Sequence, residues 1–310
     1  MEVISGLNRF KKNEYKGPAA VAIGTFDGVH LAHQAIIKKA VKVAKKYKGH
    51  SVVLTFFPHP LKVTNPYFTP ALLTSLDHRV KLIEELNPDI CLVVNFMKRF
   101  SGFSPEEFCA KVLKGKLDSA FVIVGEKFNF GKDRLGNVSL LKKYGKQLGF
   151  RVEILKALKK KKQIVSSSLI RIAVENGDLK KAEAMLGRPF SVLGTVEKGD
   201  QRGRDLGFAT ANIDSHQEAV PSDGVYAVTA KLNKKYYKGM LNIGTRPTFK
   251  DKLSRHVIEL HIFSFNQDIY SQNIEVFFVK KFRQERRFAS VDLLKKQLHK
   301  DKKKALEILT

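Results

Sequence analysis

Five apolar runs stand out along the first half of the chain: AVAIGTF (20–26), SVVLTFF (51–57), ICLVVNF (90–96), AFVIVGE (120–126) and RVEIL (151–155). Each is strand-sized, and the segments between them carry helical spacing instead. In the first such segment Ile36, Ile37, Ala40, Val41, Ala44 and Tyr47 recur on one face, while Lys38, Lys39, Lys42, Lys45 and Lys46 take the other. Further helices are predicted around His78 to Glu85, from Pro105 to Leu113 and around Ser139 to Leu148. Continuous apolar runs alternating with amphipathic helices are the pattern of βαβ units, in which a parallel sheet is covered on both faces. Ligands of such sheets bind at the carboxyl ends of the strands. GTFDGVH, TFFPHP and VGEKFNFG each follow an apolar run directly, so the pattern predicts three polar clusters on one rim.

The pattern changes after residue 164. Ser166, Ser167 and Ser168 offer N-caps for a helix through Val174, which Asn176-Gly177 would stop, and Asp178 caps a second helix that Gly187 ends. From Phe190 onward the segments are short, alternating and broken by Gly, Asn and Asp, as in GVYAVTAKLN and KYYKGMLNIG. Five or six such strands predict a small antiparallel barrel, and a helix from Val291 to Leu309 closes the chain. The boundary falls near residue 186, giving domains 1–186 and 187–310, the first α/β with a Rossmann-like parallel sheet.

Composition narrows the setting. The 310 residues suit two domains, and 43% hydrophobic content suffices for real cores. No apolar stretch approaches the roughly 20 residues that span a bilayer, and the first residues lack the charged-then-apolar order of a signal peptide, so no membrane partner and a cytoplasmic location are expected. Cys91 and Cys109, each inside an apolar segment, read as reduced core thiols. A net charge of +26 favours contact with phosphate. Much of it lies in lysine runs at 156–163 and 294–305 that read as solvated faces, so nucleic acid is not the expected partner. Oligomeric state is not legible.

Two stretches carry candidate chemistry. A turn that leaves a strand and opens a helix presents backbone N–H groups and the positive end of a helix dipole, which together bind phosphate. Gly24 and Gly28 would let that turn bend, and His30 and His33 can donate to phosphate oxygens, an arrangement suited to displacement at a nucleotide phosphate. In the second half GDQRGRDLGFATANI (199–213) places glycines before Thr210 and Asn212, oxygen ligands of the kind Mg²⁺ accepts beside nucleotide phosphates. Read alone, that stretch fits a plain hairpin loop better, since glycine-rich turns between strands are common.

GTFDGVHLAHQ resembles the G-x-F-D-G-x-H-x-G-H stretch of the bacterial bifunctional riboflavin kinase/FAD synthetase family, whose amino-terminal half belongs to the HxGH nucleotidyltransferases. TFFPHP, VGEKFNFG and VSSSLIR (165–171) resemble further motifs of that family in order. GDQRGRDLGFATAN, PSDGVYAV, NIGTRPTF, IELHIFSFNQDIY and FRQERRF are similar to the motifs of its kinase half, so the resemblance covers most of the chain. It implies a nucleotidyltransferase domain followed by a barrel-shaped riboflavin kinase domain with a carboxyl-terminal helix. The implied activities are phosphorylation of riboflavin to FMN by ATP, and adenylyl transfer from a second ATP to FMN, giving FAD and pyrophosphate, with Mg²⁺ as cofactor. By the same resemblance Gly24, Phe26, Asp27, His30, His33, Ser166, Ser167 and Arg171 would bind ATP for adenylyl transfer, with His30 and His33 catalytic. His59 and Lys127 would border the FMN site. Gly199, Arg204, Gly207, Thr210 and Asn212 would hold the kinase ATP, Thr210 and Asn212 its metal, and Glu259 would activate the riboflavin hydroxyl.

The chain departs from the family pattern at Ala32, usually glycine, at Lys127, usually Asp or Asn, and at Ala209, usually proline. Ser264 and Ser271 also stand where Asp and Gly are usual. These departures leave two alternatives open: an enzyme retaining only the kinase, or a non-catalytic flavin- or RNA-binding regulator on the same fold.

Overall fold

The computed structural model describes residues 1–160, 163–198, 207–217, 219–246 and 255–310. The chain forms two compact units, one of residues 1–70 and 76–167, the other of 71–75 and 168–310.

The first unit is built on six parallel strands, β1 (Glu2–Ser5), β2 (Ala19–Ile23), β3 (His50–Phe57), β4 (Ile90–Asn95), β5 (Ser119–Gly125) and β6 (Arg151–Leu155), in the order β1-β4-β3-β2-β5-β6. Alternate side chains feed two cores. Val21, Ile23, Leu54, Leu92 and Val122 face one, and Ala20, Ala22, Val53, Cys91 and Ile123 face the other. Burial on both faces is why these strands read as unbroken apolar runs. Strand order reverses beside β2, so the loops after β2 and β5 flank the crevice where doubly wound sheets take their ligands.

The expectations need correction in detail. β1 was not foreseen: EVIS is four residues with only Ile4 buried, and its strand character comes from pairing with β4. β2 stops at Ile23, so Gly24 to Phe26 belong to the turn. In the helix Leu31–Lys46 the buried face is Ile36, Ile37, Ala40, Val43 and Ala44. Val43 replaces Val41 there, and Tyr47 ends the helix, exposed, with its ring on Phe121 at 4.6 Å. The helix beginning at Pro105 becomes π-helical over Phe108–Lys116, which still buries Phe108, Cys109, Val112 and Leu113.

The second unit holds the helices Leu179–Leu186, capped by Asp178 and stopped at Gly187 (φ 75°), and Val291–Ile308. Its sheet is a closed antiparallel barrel, β10-β13-β12-β11-β14-β9, of β9 (Ser191–Glu197), β10 (Ala211–Ser215), β11 (Gly224–Leu232), β12 (Lys235–Arg246), β13 (Arg255–Ile262) and β14 (Asn273–Arg283). A short hairpin, β7 (Lys159–Lys160) and β8 (Gln163–Ile164), precedes them in sequence. The last helix packs Ala305 against Phe208, Ala227, Met240 and Phe263. Its buried Asp301 accepts from Arg283 Nε and Nη2 and from Gln297 Nε2.

Removing one partner of a buried ion pair leaves the other uncompensated, at a cost of about 3–5 kcal/mol. Asp301→Ala should therefore lower stability by about 3 kcal/mol in urea titrations followed by circular dichroism. A loss below about 1 kcal/mol would mean that apolar packing alone holds the last helix.

Candidate functional site

In the first unit the candidate site is the turn from β2 into the helix Leu31–Lys46. Phe26 (φ 50°), Gly28 (φ 80°) and Val29 (φ 38°) all take left-handed backbone. Glycine does so freely, whereas Phe26 and Val29 are held there by completely buried side chains. Gly24 serves differently: a Cβ there would lie 3.0 Å from the Phe26 ring, so its role is close approach. The carbonyl of Thr25 accepts from Thr55 Oγ1 (3.1 Å), that of Phe26 from Val29 N (3.0 Å), that of Asp27 from Ser167 Oγ (2.9 Å) and that of Val29 from Gln34 Nε2 (2.9 Å). With these acceptors tied down, the turn's negative dipole ends are engaged within the protein.

His30 is the N-cap: its Nδ1 accepts from His33 N at 3.3 Å. In its neutral form the ring proton is therefore on Nε2, which makes that atom the donor. The His33 ring stacks on His30 at 3.6 Å and meets the Phe26 ring edge-on at 5.3 Å. Burial, then His30, then the Arg79 guanidinium push the His33 pKa well below the usual histidine value. The two stacked rings thus stand preorganised at the mouth of a helix N-terminus, with His33 held towards its neutral form.

Asp27 is buried in the same turn, and Ser166, half-buried, precedes the helix Ser167–Glu175. His59 is buried, and its Nδ1 accepts from Leu61 N to cap Pro60–Thr64. Lys127 is exposed in the loop after β5. Parallel pairing puts the ends of β2, β3 and β5, which carry these clusters, on one rim of the sheet. Arg171 belongs to the second unit, where its Nε donates to the Ala71 carbonyl. The Arg79 contribution was missed by sequence reasoning.

The barrel carries a second candidate site on its outer face. Asn212 on β10 is paired with Glu259 on β13, and Glu259 with Asn242 on β12, so three polar side chains form a row across adjacent strands. Their neighbours Ile213, Ile258, Leu260, Leu241 and Ile243 are buried. Thr210 is half-buried just before Asn212, and Gly207 is exposed with left-handed backbone (φ 78°). Gly199 and Arg204 lie outside the described residues. Two groups not foreseen complete the row. Glu285 accepts from Asn242 Nδ2 at 3.2 Å, and its carboxylate sits where a Cβ on Gly244 would be 2.2 Å away, so any larger residue there would displace the Glu285 side chain. His261 donates from Nδ1 to the Ala209 carbonyl at 2.8 Å, and the Phe208 ring lies between the rings of His261 (5.1 Å) and His299 (5.0 Å). Among the described residues no cluster of three or more His, Cys, Asp or Glu could cage a metal ion.

Residues 12–169 match the family model of FAD synthetase, and residues 186–309 that of riboflavin kinase. The bifunctional riboflavin kinase/FMN adenylyltransferase of Buchnera aphidicola subsp. Schizaphis graminum is 40% identical over 97% of this chain and 96% of its own. The protein of the same description from Escherichia coli K12 is 35% identical over 99% and 97%. A solved structure described as a macrolide-efflux protein from Streptococcus pneumoniae superposes with a TM-score of 0.84 and 28% identity over 98% of each chain. That description is of that protein; no described helix of the present chain is long and apolar enough to cross a membrane.

The depressed pKa of His33 makes stability depend on pH. The unfolded chain binds a proton at His33 below the ordinary value of 6.5 while the folded chain does not, so this contribution is complete above 6.5 and is lost as pH falls towards the folded value. Urea titrations between about pH 7 and pH 5 should show that slope in the wild type and a weaker one in His33→Gln. Equal slopes would show that His33 protonates as readily in the fold as outside it.

Proposed function

The chain belongs to the bifunctional riboflavin kinase/FMN adenylyltransferase family, and from that premise we propose a division of labour between named residues. The enzyme phosphorylates riboflavin to FMN with one ATP, and adenylylates FMN to FAD with a second, releasing pyrophosphate. Adenylyl transfer is assigned to residues 1–186 and the kinase to 187–310, supported by the spans that match the two families.

For adenylyl transfer, the observation that carries the assignment is the stacked His30–His33 pair at a helix N-terminus whose carbonyls are engaged elsewhere. Phosphate oxygens would meet His30 Nε2–H and the dipole of the helix, and charge building on the leaving pyrophosphate would be stabilised without reorganisation. Gly24, Phe26 and Asp27 shape the turn, and Ser167 braces it through the Asp27 carbonyl. Ser166 and Arg171 are retained as phosphate ligands on the family motif alone, and His59 and Lys127 as borders of the FMN site.

For the kinase, Glu259 would accept the proton of the riboflavin 5′-hydroxyl as that oxygen attacks the γ-phosphorus of ATP. Thr210 and Asn212 supply the hard oxygen donors that suit Mg²⁺, an ion that keeps several waters and takes few protein ligands, so the residues present fit it. When bound, the ion would neutralise charge on the transferred phosphoryl group. The kinase ATP would also be held by Gly199, Arg204 and Gly207. The two buried, unbridged cysteines support a reducing cytoplasmic setting, and solvated lysine faces support small-molecule substrates over nucleic acid.

Chromatography of flavin products tests the division. Glu259→Gln should lower FMN formation by about 10²-fold or more while sparing conversion of supplied FMN to FAD, and His30→Asn combined with His33→Asn should do the reverse. Equal loss of both steps in either variant would overturn the assignment.

A further inference from the structure

Arg79, in the helix Leu76–Glu84, is completely buried (0% exposed). A guanidinium stripped of water is costly unless carboxylates or a full set of acceptors replace its hydration. Here Nη1 donates to the Phe56 carbonyl at 3.2 Å and, at the limit of reach, to Thr55 Oγ1 at 3.5 Å. Nε and Nη2 are buried with no hydrogen-bond partner among the described residues, and the carboxylate that favours the charge, Asp27, acts on it without a hydrogen bond to either nitrogen. Thr55 in turn donates to the Thr25 carbonyl, so the cation stands directly behind the turn that carries His30 and His33. The titratable groups that face Arg79 are Asp27 from the turn and Cys91 from β4; those that face His33 are His30 and Arg79.

We propose that Arg79 is a positioning residue for adenylyl transfer: a buried cation behind the turn, with two nitrogens unpartnered, whose charge beyond what Asp27 balances is met when the triphosphate binds and uncovered again when pyrophosphate leaves. The proposal rests on the assignment of His30 and His33 to the ATP phosphates. Being buried, Arg79 does not touch the substrate. It acts through the Thr55–Thr25 link, which holds the turn, and through its field, which little intervening water screens and which is in place before the anion binds. The same field favours the neutral form of His33.

Pyrophosphate titrated calorimetrically into the whole protein reads this directly, with Arg79→Met removing the charge and Arg79→Lys keeping it. The Met variant should bind pyrophosphate about tenfold more weakly, the scale of one charge acting across roughly 10 Å at an effective dielectric of about 20. The Lys variant should stay near wild type. By NMR the His33 imidazole should titrate at higher pH in the Met variant and be little changed in the Lys variant, while riboflavin phosphorylation is unchanged in both. Wild-type affinity in the Met variant, or equal weakening in both variants with His33 unmoved, overturns the proposal. Should the Met variant not fold, the Arg79 Nε–H resonance of the wild type must shift on adding pyrophosphate, and an unmoved resonance overturns it equally. Undiminished pyrophosphate binding in the double histidine variant would instead overturn the placement of the ATP phosphates, a separate failure.

Discussion

Four carbonyl oxygens, those of Thr25, Phe26, Asp27 and Val29, are each engaged by a donor, that of Phe26 from within the turn and the others from outside it, and the shape of the turn depends on that arrangement. A carbonyl left facing the mouth of the turn would oppose an anion as strongly as an N–H attracts it. Engaging them needs left-handed backbone at Phe26 and Val29, which costs of order 1–3 kcal/mol per residue. The core meets that cost by completely burying both side chains, so the strained conformation is over-determined by packing. Thr55 from β3 and Ser167 from the last segment of the unit then bring long-range parts of the chain to bear on a few residues of turn. A local motif therefore works only inside this sheet.

The barrel reaches a similar end by register. Alternation along β12 and β13 sends Leu241, Ile243, Ile258 and Leu260 inward, and so sends Asn242 and Glu259 outward, side by side. Closing the barrel through β10 adds Asn212 to the row. A one-residue slip of β13 would exchange Glu259 for a buried aliphatic neighbour, so the burial of the core is also what aims the carboxylate. Gly244 lets the Glu285 carboxylate approach the same row.

Much of this was legible along the chain, because strands buried on both faces must be apolar throughout and helices covering them must be amphipathic. What escaped was set by distant partners. β1 has too little apolar character to declare itself and exists because β4 offers an edge. The buried face of the helix Leu31–Lys46 turned from Val41 to Val43 because the sheet decides which stripe is covered. Arg79 did leave a signal: it lies three and four residues before Leu82 and Ile83, hence on their apolar face, where a solvated arginine has no place. His261 left one too, two residues from Glu259 on a strand and therefore on the same side of the sheet. Glu285 left none beyond its motif, since its approach depends on Asn242 and Gly244 from another strand.

The departures from the family motifs look different beside these contacts. Ala32 occupies the first turn of a helix, where alanine is the better helix former, so its methyl supports the element that carries His33. Ala209 lacks the ring that fixes a proline's φ, yet its carbonyl is held by His261 and its neighbour Phe208 lies between two histidine rings. Side-chain contacts thus replace a covalent restraint just ahead of Thr210 and Asn212. Such a clamp constrains the loop only in the folded barrel, whereas proline would constrain the unfolded chain as well. The substitution therefore moves the burden of ordering this loop from local stereochemistry to tertiary packing, just ahead of the strand that begins at Ala211.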